Sequence, residues 1–179
     1  CSKNDQDKNP KYLMMLYWID KTEYLQLEKK YEDEKNVIVL IQVDGYDEVL
    51  KSTTEENRPL INLEIEKMMT TLESSANGAL KKTLNNNFIL YPLIDKKELK
   101  EIEEGKFAIL DSIRSINHGN TLPVTISIGV GIDGDTINEN FKLANGALDL
   151  ALGRGGDQAI IKTKDNFAFY GGKSKAVEK

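Results

Sequence analysis

The stretch Asn-Val-Ile-Val-Leu-Ile-Gln-Val-Asp at 36–44 constrains this chain more than any other. Its apolar run does not alternate, and most of it is β-branched. β-Branched side chains suit extended backbone, and an unalternating apolar run needs cover on both faces. The stretch therefore reads as a central strand with layers on either side.

The other segments supply those layers. Residues 60–75, LINLEIEKMMTTLESS, read as a helix with Leu60, Leu63, Met68 and Leu72 near one face. Residues 78–93 hold two short strands around an Asn-rich turn, a β-hairpin. Residues 95–116 read as one helix, because Leu99, Ile102, Phe107, Leu110 and Ile113 recur at three to five. LPVTISIGVGI is a strand. INENFKLANGALDLAL is a helix burying Ala144, Ala147, Leu148 and Ala151. QAIIK and FAFYGG are short strands. This order of elements predicts an α/β (α+β) fold with a ferredoxin-like βαββαβ core, its mostly antiparallel central sheet flanked by helices.

The amino-terminal part differs. KYLMMLYWID is strand-sized and rich in aromatics. A helix is predicted from Asp20, with Glu23 completing a capping-box pattern. Tyr24, Leu27 and Tyr31 make a thin apolar stripe on it, which suits a connector that pairs with another helix. The alternative is that it packs on its own domain.

Composition excludes several classes. A formal net charge of -5 and no basic stripe argue against a nucleic-acid binder held by phosphate contacts. No apolar stretch is long enough for a membrane span. One cysteine, Cys1, rules out an internal disulfide. It matches a mature lipoprotein start or a cut end, and the cut is favoured because the next segment reads as the end of something larger. His118, in a polar turn, reads as a solvated loop residue. With no Cys/His cluster, zinc is not expected.

Three blocks carry a resemblance: VIVLIQVDGYDEV, KTLNNNFILYP and VTISIGVG…ANGALDLALGRGGDQAII. In this order they resemble the GGDEF domain of diguanylate cyclases. QVDGYDEV, ALDLALGRGGDQ and FYGGKSKAVEK look more narrowly like the degenerate GGDEF domain of GdpP-type cyclic-di-AMP phosphodiesterases. YLMMLYWIDKTE looks like the last strand and Asp-x-Thr exit of a PAS domain. The resemblance implies a truncated PAS strand over 1–23, a connector helix over 24–35, a degenerate GGDEF domain over 36–170 and a linker over 171–179 toward an absent DHH/DHHA1 module.

The resemblance also says what the site has lost. The cyclases' metal-binding aspartate on the first strand aligns with Gln42, and the hairpin signature with Leu84, Asn85, Asn86, Asn87 and Phe88. Neutral amides are weak ligands for Mg²⁺ and cannot act as a general base. The phosphate-side lysine aligns with Asp47 and the guanine-binding asparagine with Leu50. The product-inhibition arginine and aspartate align with Ser75 and Gly78, and the late lysine and arginine with Leu152 and Gly156. Cyclase activity is therefore not expected. The residual nucleotide or metal candidates are Asp44, Gln42, Tyr46, Lys82, Asn86 and Asn87. For each a structural reading stands beside it: a turn start for Asp44, core for Tyr46, solvent for Lys82, a tight turn for the asparagines. Degenerate family members are associated with weak ATP hydrolysis. Such activity here would use Mg²⁺ and depend on Asp44.

RGGDQ follows a helix, so it is not the hairpin signature despite its letters. Gly155 and Gly156 read as a helix end. Alternatively, Arg154, Gly155, Gly156 and Asp157 meet a phosphate or a neighbouring domain. The resemblance further implies a membrane-anchored bacterial parent whose DHH/DHHA1 domain uses Mn²⁺ to hydrolyse cyclic-di-AMP to pApA. This domain would be cytoplasmic and regulatory. Its expected partners are the PAS and DHH/DHHA1 domains of the same chain, a second copy in a homodimer and a small nucleotide, with no nucleic acid and a membrane only through absent N-terminal helices.

Overall fold

The computed structural model describes residues 14–33, 37–83, 87–92, 96–105 and 107–171, the side chains of 29–33 and 96–97 apart. Helix α1 (Thr22–Asp33) precedes β1 (Ile38–Asp44), α2 (Tyr46–Lys51), α3 (Arg58–Ser75), β2 (Ala79–Lys82) and β3 (Asn87–Tyr91). Then come α4 (Lys96–Glu104), α5 (Ile109–Arg114), β4 (Thr125–Gly131), α6 (Ile137–Gly153), β5 (Gln158–Lys162) and β6 (Phe167–Gly171). The strands form one six-stranded sheet in the order β2-β3-β1-β4-β5-β6. Only β4 and β5 pair in parallel. The expected mixed fold is present, with β1 in its middle.

β1 is central because both its faces are apolar. Val37, Val39, Ile41 and Val43 join the larger core with Ile61, Ile65, Phe88, Leu110, Ile113, Ile126 and Ile128. Ile38 and Leu40 face the other way, against Ala144 and Leu148 of α6. Helix α6 approaches β4 backbone to backbone. A Cβ on Gly129 would lie 2.3 Å from the Ala144 carbonyl oxygen, and one on Gly131 only 1.9 Å from that of Asn140. The start of α6 is a T-x-x-E cap that the sequence reading overlooked. Thr136 Oγ1 accepts from the Glu139 N–H at 3.1 Å, and Glu139 Oε2 accepts from the Asp135 N–H at 2.6 Å.

Four expectations need correction. Residues 14–20 form no strand, and residues 11–13 lie outside the described part. Met14 to Ile19 are all well exposed, Trp18 at 94%. A strand needs a neighbour for its backbone groups and its apolar face, and among the described residues none lies beside this one. The following helix starts at Thr22, and Asp20 Oδ1 accepts from the Thr22 N–H at 2.8 Å. Tyr24 and Leu27 are exposed on it, and the Tyr31 side chain is outside the described set.

The buried stripe of α3 is Ile61, Ile65 and Met69, while Leu60 and Leu63 face solvent. The spacing of four suits one helical face as well as the predicted one did, and β-branched Ile61 and Ile65 won the core side. The single helix predicted over 95–116 is two. Gly105 lies between them, and Phe107 takes φ 51°, which turns its ring into the core 5.2 Å from Tyr170. Finally, His118 is not simply solvated. Its Nε2 pairs with Glu64 Oε2, while its carbonyl accepts from Asn57 Nδ2 at 2.9 Å.

Candidate functional site

Alternation along β1 puts Gln42 and Asp44 on the α6 face, past Ile38 and Leu40. The β1–β3 register sets Gln42 opposite Asn87. Two neutral amide residues therefore meet where the resemblance puts the metal-binding acids. Asn87 Oδ1 is buried without a hydrogen-bond partner, while the Asn87 carbonyl accepts from Thr83 N–H at 2.7 Å. Leu84, Asn85 and Asn86 lie outside the described residues.

The half-buried Asp44 is committed internally. Its Oδ1 accepts from Ser127 Oγ at 2.7 Å, and its Oδ2 accepts from Thr125 Oγ1 at 3.0 Å and the Asp157 N–H at 2.9 Å. These three donors use both oxygens of the carboxylate. Gly45 follows at φ 51° and turns the chain into α2.

RGGDQ ends α6 and enters β5, as its structural reading expected. The Gly156 N–H donates to the Ala151 carbonyl at 2.9 Å and the Gly155 N–H to that of Leu152 at 3.0 Å. With Gly155 at φ 105° this is a Schellman motif. Gly156, at φ 76°, sits where a Cβ would lie 2.8 Å from Asp44 Oδ2. Asp157, at φ 58°, turns its carboxylate to Arg114 of α5, whose Nε donates to its two oxygens at 2.7 and 2.8 Å. Arg114 also pairs with Asp111. Buried Gln158 holds the turn, with Nε2 donating to the Ala151 carbonyl at 3.1 Å.

The other candidates are dispersed. Tyr46 packs on the core and its hydroxyl donates to Asn62 of α3. Lys82 Nζ bonds Glu66 Oε1 at 2.6 Å and lies 5.8 Å from the Phe88 ring centroid. Arg154 Nε donates to Gln158 Oε1 at 3.3 Å, and its guanidinium covers Phe169 at 4.9 Å. Leu152 packs with Ile89 and Phe141 against the apolar face of β1. The structure thus gathers Gln42 with Asn87, and Asp44 with Gly156 and Asp157. Tyr46, Lys82 and Arg154 each have separate partners.

The described part of this donor set offers a magnesium–triphosphate complex neutral oxygens rather than free carboxylates. Among the described residues no three His, Cys, Asp or Glu side chains are grouped to hold a metal. Asp44 is occupied by its own fold, and Gln42 and Asn87 offer only neutral oxygens. The sequence reading missed Thr125, Ser127 and Arg114. The two hydroxyls in the otherwise apolar run of β4 were the available signal for Thr125 and Ser127, since buried polar groups need partners.

Residues 41–169 match the family described as "Cyclic-di-AMP phosphodiesterase GdpP-like, GGDEF domain". The chain belongs to this family. It is 37% identical over 166 residues to cyclic-di-AMP phosphodiesterase GdpP of Bacillus subtilis, covering 92% of this chain and 25% of that protein. It is 38% identical, with the same coverage, to cyclic-di-AMP phosphodiesterase PdeA of Listeria monocytogenes. The chain thus spans about a quarter of the length of these relatives. The fold of the GdpP-like GGDEF domain is similar to the active GGEEF domain of a diguanylate cyclase from Vibrio cholerae, with TM-score 0.58 and 14% identity over 78% of this chain and 88% of that one. It is also similar to the FimX GGDEF domain from Pseudomonas aeruginosa, with TM-score 0.53 and 18% identity over 78% of this chain and 91% of that one.

Proposed function

We propose that this GdpP-like GGDEF domain is a regulatory module within a longer membrane-anchored cyclic-di-AMP phosphodiesterase, and that it makes no cyclic-di-GMP itself. The observation that carries this reading is the state of Asp44. A carboxylate holding Ser127, Thr125 and Asp157 serves the fold, and the amides of Gln42 and Asn87 leave no anionic pair for a divalent ion. Hydrolysis to pApA with Mn²⁺ belongs to a DHH/DHHA1 domain elsewhere in the parent. The anchor belongs to the same parent, and no described helix of this domain is long and apolar enough to cross a membrane.

The exposed residues 14–19, with Tyr24, Leu25 and Leu27, support contacts with a preceding PAS domain and with a second copy in a homodimer. The test incubates the purified chain with cyclic-di-AMP and Mn²⁺, and separately with GTP and Mg²⁺. The expected result is that neither substrate is consumed. Release of pApA or cyclic-di-GMP by the pure chain defeats the proposal.

A second reading is nucleotide sensing or weak ATP hydrolysis. It rests on the partnerless Asn87 Oδ1 beside Gln42, an acceptor that a bound donor would satisfy. Titration calorimetry with ATP, GTP and cyclic dinucleotides, with and without Mg²⁺, separates the two. Flat titrations leave the module as a ligand-free spacer.

A further inference from the structure

The sheet ends in two edges of opposite character. β2 reads Ala-Leu-Lys-Lys, and lysines on a short edge discourage further pairing. β6 reads Phe-Ala-Phe-Tyr-Gly and pairs only with β5 among the described residues. It holds no charge and no proline, so its own sequence gives its outer N–H and C=O groups none of the usual protection.

Its side chains say what kind of strand fits there. Phe167 and Phe169 are 47% and 48% exposed, stacked with ring centroids 6.3 Å apart. A cation covers each ring. Lys162 Nζ lies 5.0 Å from the Phe167 centroid and Arg154 Cζ lies 4.9 Å from that of Phe169. The result is a row of two cations and two aromatic rings on a chain of net charge -5. The ring spacing approaches the rise of two strand residues, about 6.6 Å. An added strand carrying acids at alternate positions would put one carboxylate near each cation while its backbone pairs with β6. A second copy of β6 fits worse, because a twofold axis at Phe169 would bring two Arg154 guanidinium groups together.

We propose that the β6 edge is a docking site for an extended acidic segment of the pattern acid-x-acid, bound by strand addition. This inference is independent of the regulatory reading, because it needs no nucleotide and no neighbouring enzyme.

The test titrates the ¹⁵N-labelled chain with the capped peptide Thr-Glu-Thr-Glu-Thr-Glu-Thr, and separately with its Lys-for-Glu counterpart. The expected result is shifts of the β6 amides with the acidic peptide alone. Arg154→Glu and Lys162→Glu should each weaken binding by about fivefold, the scale of one exposed ion pair. Added salt should weaken it too. Circular dichroism checks the fold, and Arg154→Gln and Lys162→Gln replace either variant that unfolds. The proposal is overturned by no shift at β6, by equal response to both peptides, by shifts centred on β2, or by self-association through β6 without peptide.

Discussion

Asp44 and Asp157, far apart in sequence, meet through a backbone hydrogen bond: the Asp157 N–H donates to Asp44 Oδ2 at 2.9 Å. One carboxylate thereby ties the end of β1 to the turn between α6 and β5. The same oxygen receives Thr125 Oγ1, and its twin receives Ser127 Oγ. Asp44→Asn replaces one acceptor oxygen with an NH₂ group that faces donors. The expected cost is about 1–3 kcal/mol, the range for a lost charged acceptor. Urea unfolding measures it. An unchanged midpoint would return Asp44 to the list of residues free to hold a ligand.

Reversion to cyclase chemistry should fail for steric as well as electrostatic reasons. Gln42→Asp alone leaves Asn87 opposite it and yields no cyclic-di-GMP from GTP and Mg²⁺. Adding Leu152→Lys and Gly156→Arg makes matters worse. At φ 76° the new Cβ at 156 would press within 2.8 Å of Asp44 Oδ2. The triple variant is therefore expected to lose stability without gaining product, as mass spectrometry and thermal unfolding would record.

Arg114 and Asp157 should behave as a coupled pair. Their side chains are 23% and 25% exposed, so screening keeps the interaction modest. A double-mutant cycle of Arg114→Ala and Asp157→Ala should give a coupling of about 0.5–1.5 kcal/mol. Zero coupling would mean that Asp157 matters only for its backbone.

Tyr170 is held neutral to higher pH than an exposed tyrosine. Burial raises its phenol pKa above the ordinary value of 10.0, and the hydroxyl donating to Glu103 Oε2 at 3.0 Å raises it further. A raised folded value means the phenol's contribution is complete below the unfolded pKa and is lost as pH climbs through the folded one. In an ultraviolet titration one tyrosine should ionise later than the exposed ones, and Tyr170→Phe should remove that late step. If the late step survives, the raised group is another tyrosine.

A chain starting near Lys35 lacks the exposed residues 14–19, Tyr24, Leu25 and Leu27. It should scatter light as a smaller assembly than the whole chain at equal concentration. If association states match, those side chains do not mediate pairing.

Much of the fold was legible because burial leaves a period in the sequence. β1 and the α6 stripe of Ala144, Ala147, Leu148 and Ala151 were readable on that basis. The resemblance aligned Gln42 and Asn87 with metal-side positions, but that these two residues are register partners came from the β1–β3 pairing. The failures share a cause. The exposed 14–20 run has a strand's composition but no neighbour, and composition does not carry pairing. Leu60 and Leu63 fit the period of α3 as well as Ile61 and Ile65 do, so only packing could choose between faces. The Asp44 cluster joins β1, β4 and the turn after α6, and no local pattern encodes contacts at such separation.

The glycines of β4 bear on how force could travel through this domain. With Gly129 and Gly131 lying beneath the Ala144 and Asn140 carbonyls, α6 rests on β4 without a β4 side chain at those two positions. Sliding or rolling α6 would drive backbone into backbone. Close backbone contact of this kind resists sliding of α6 over β4, and the turn that ends α6 is itself tied to Arg114 of α5 through Asp157.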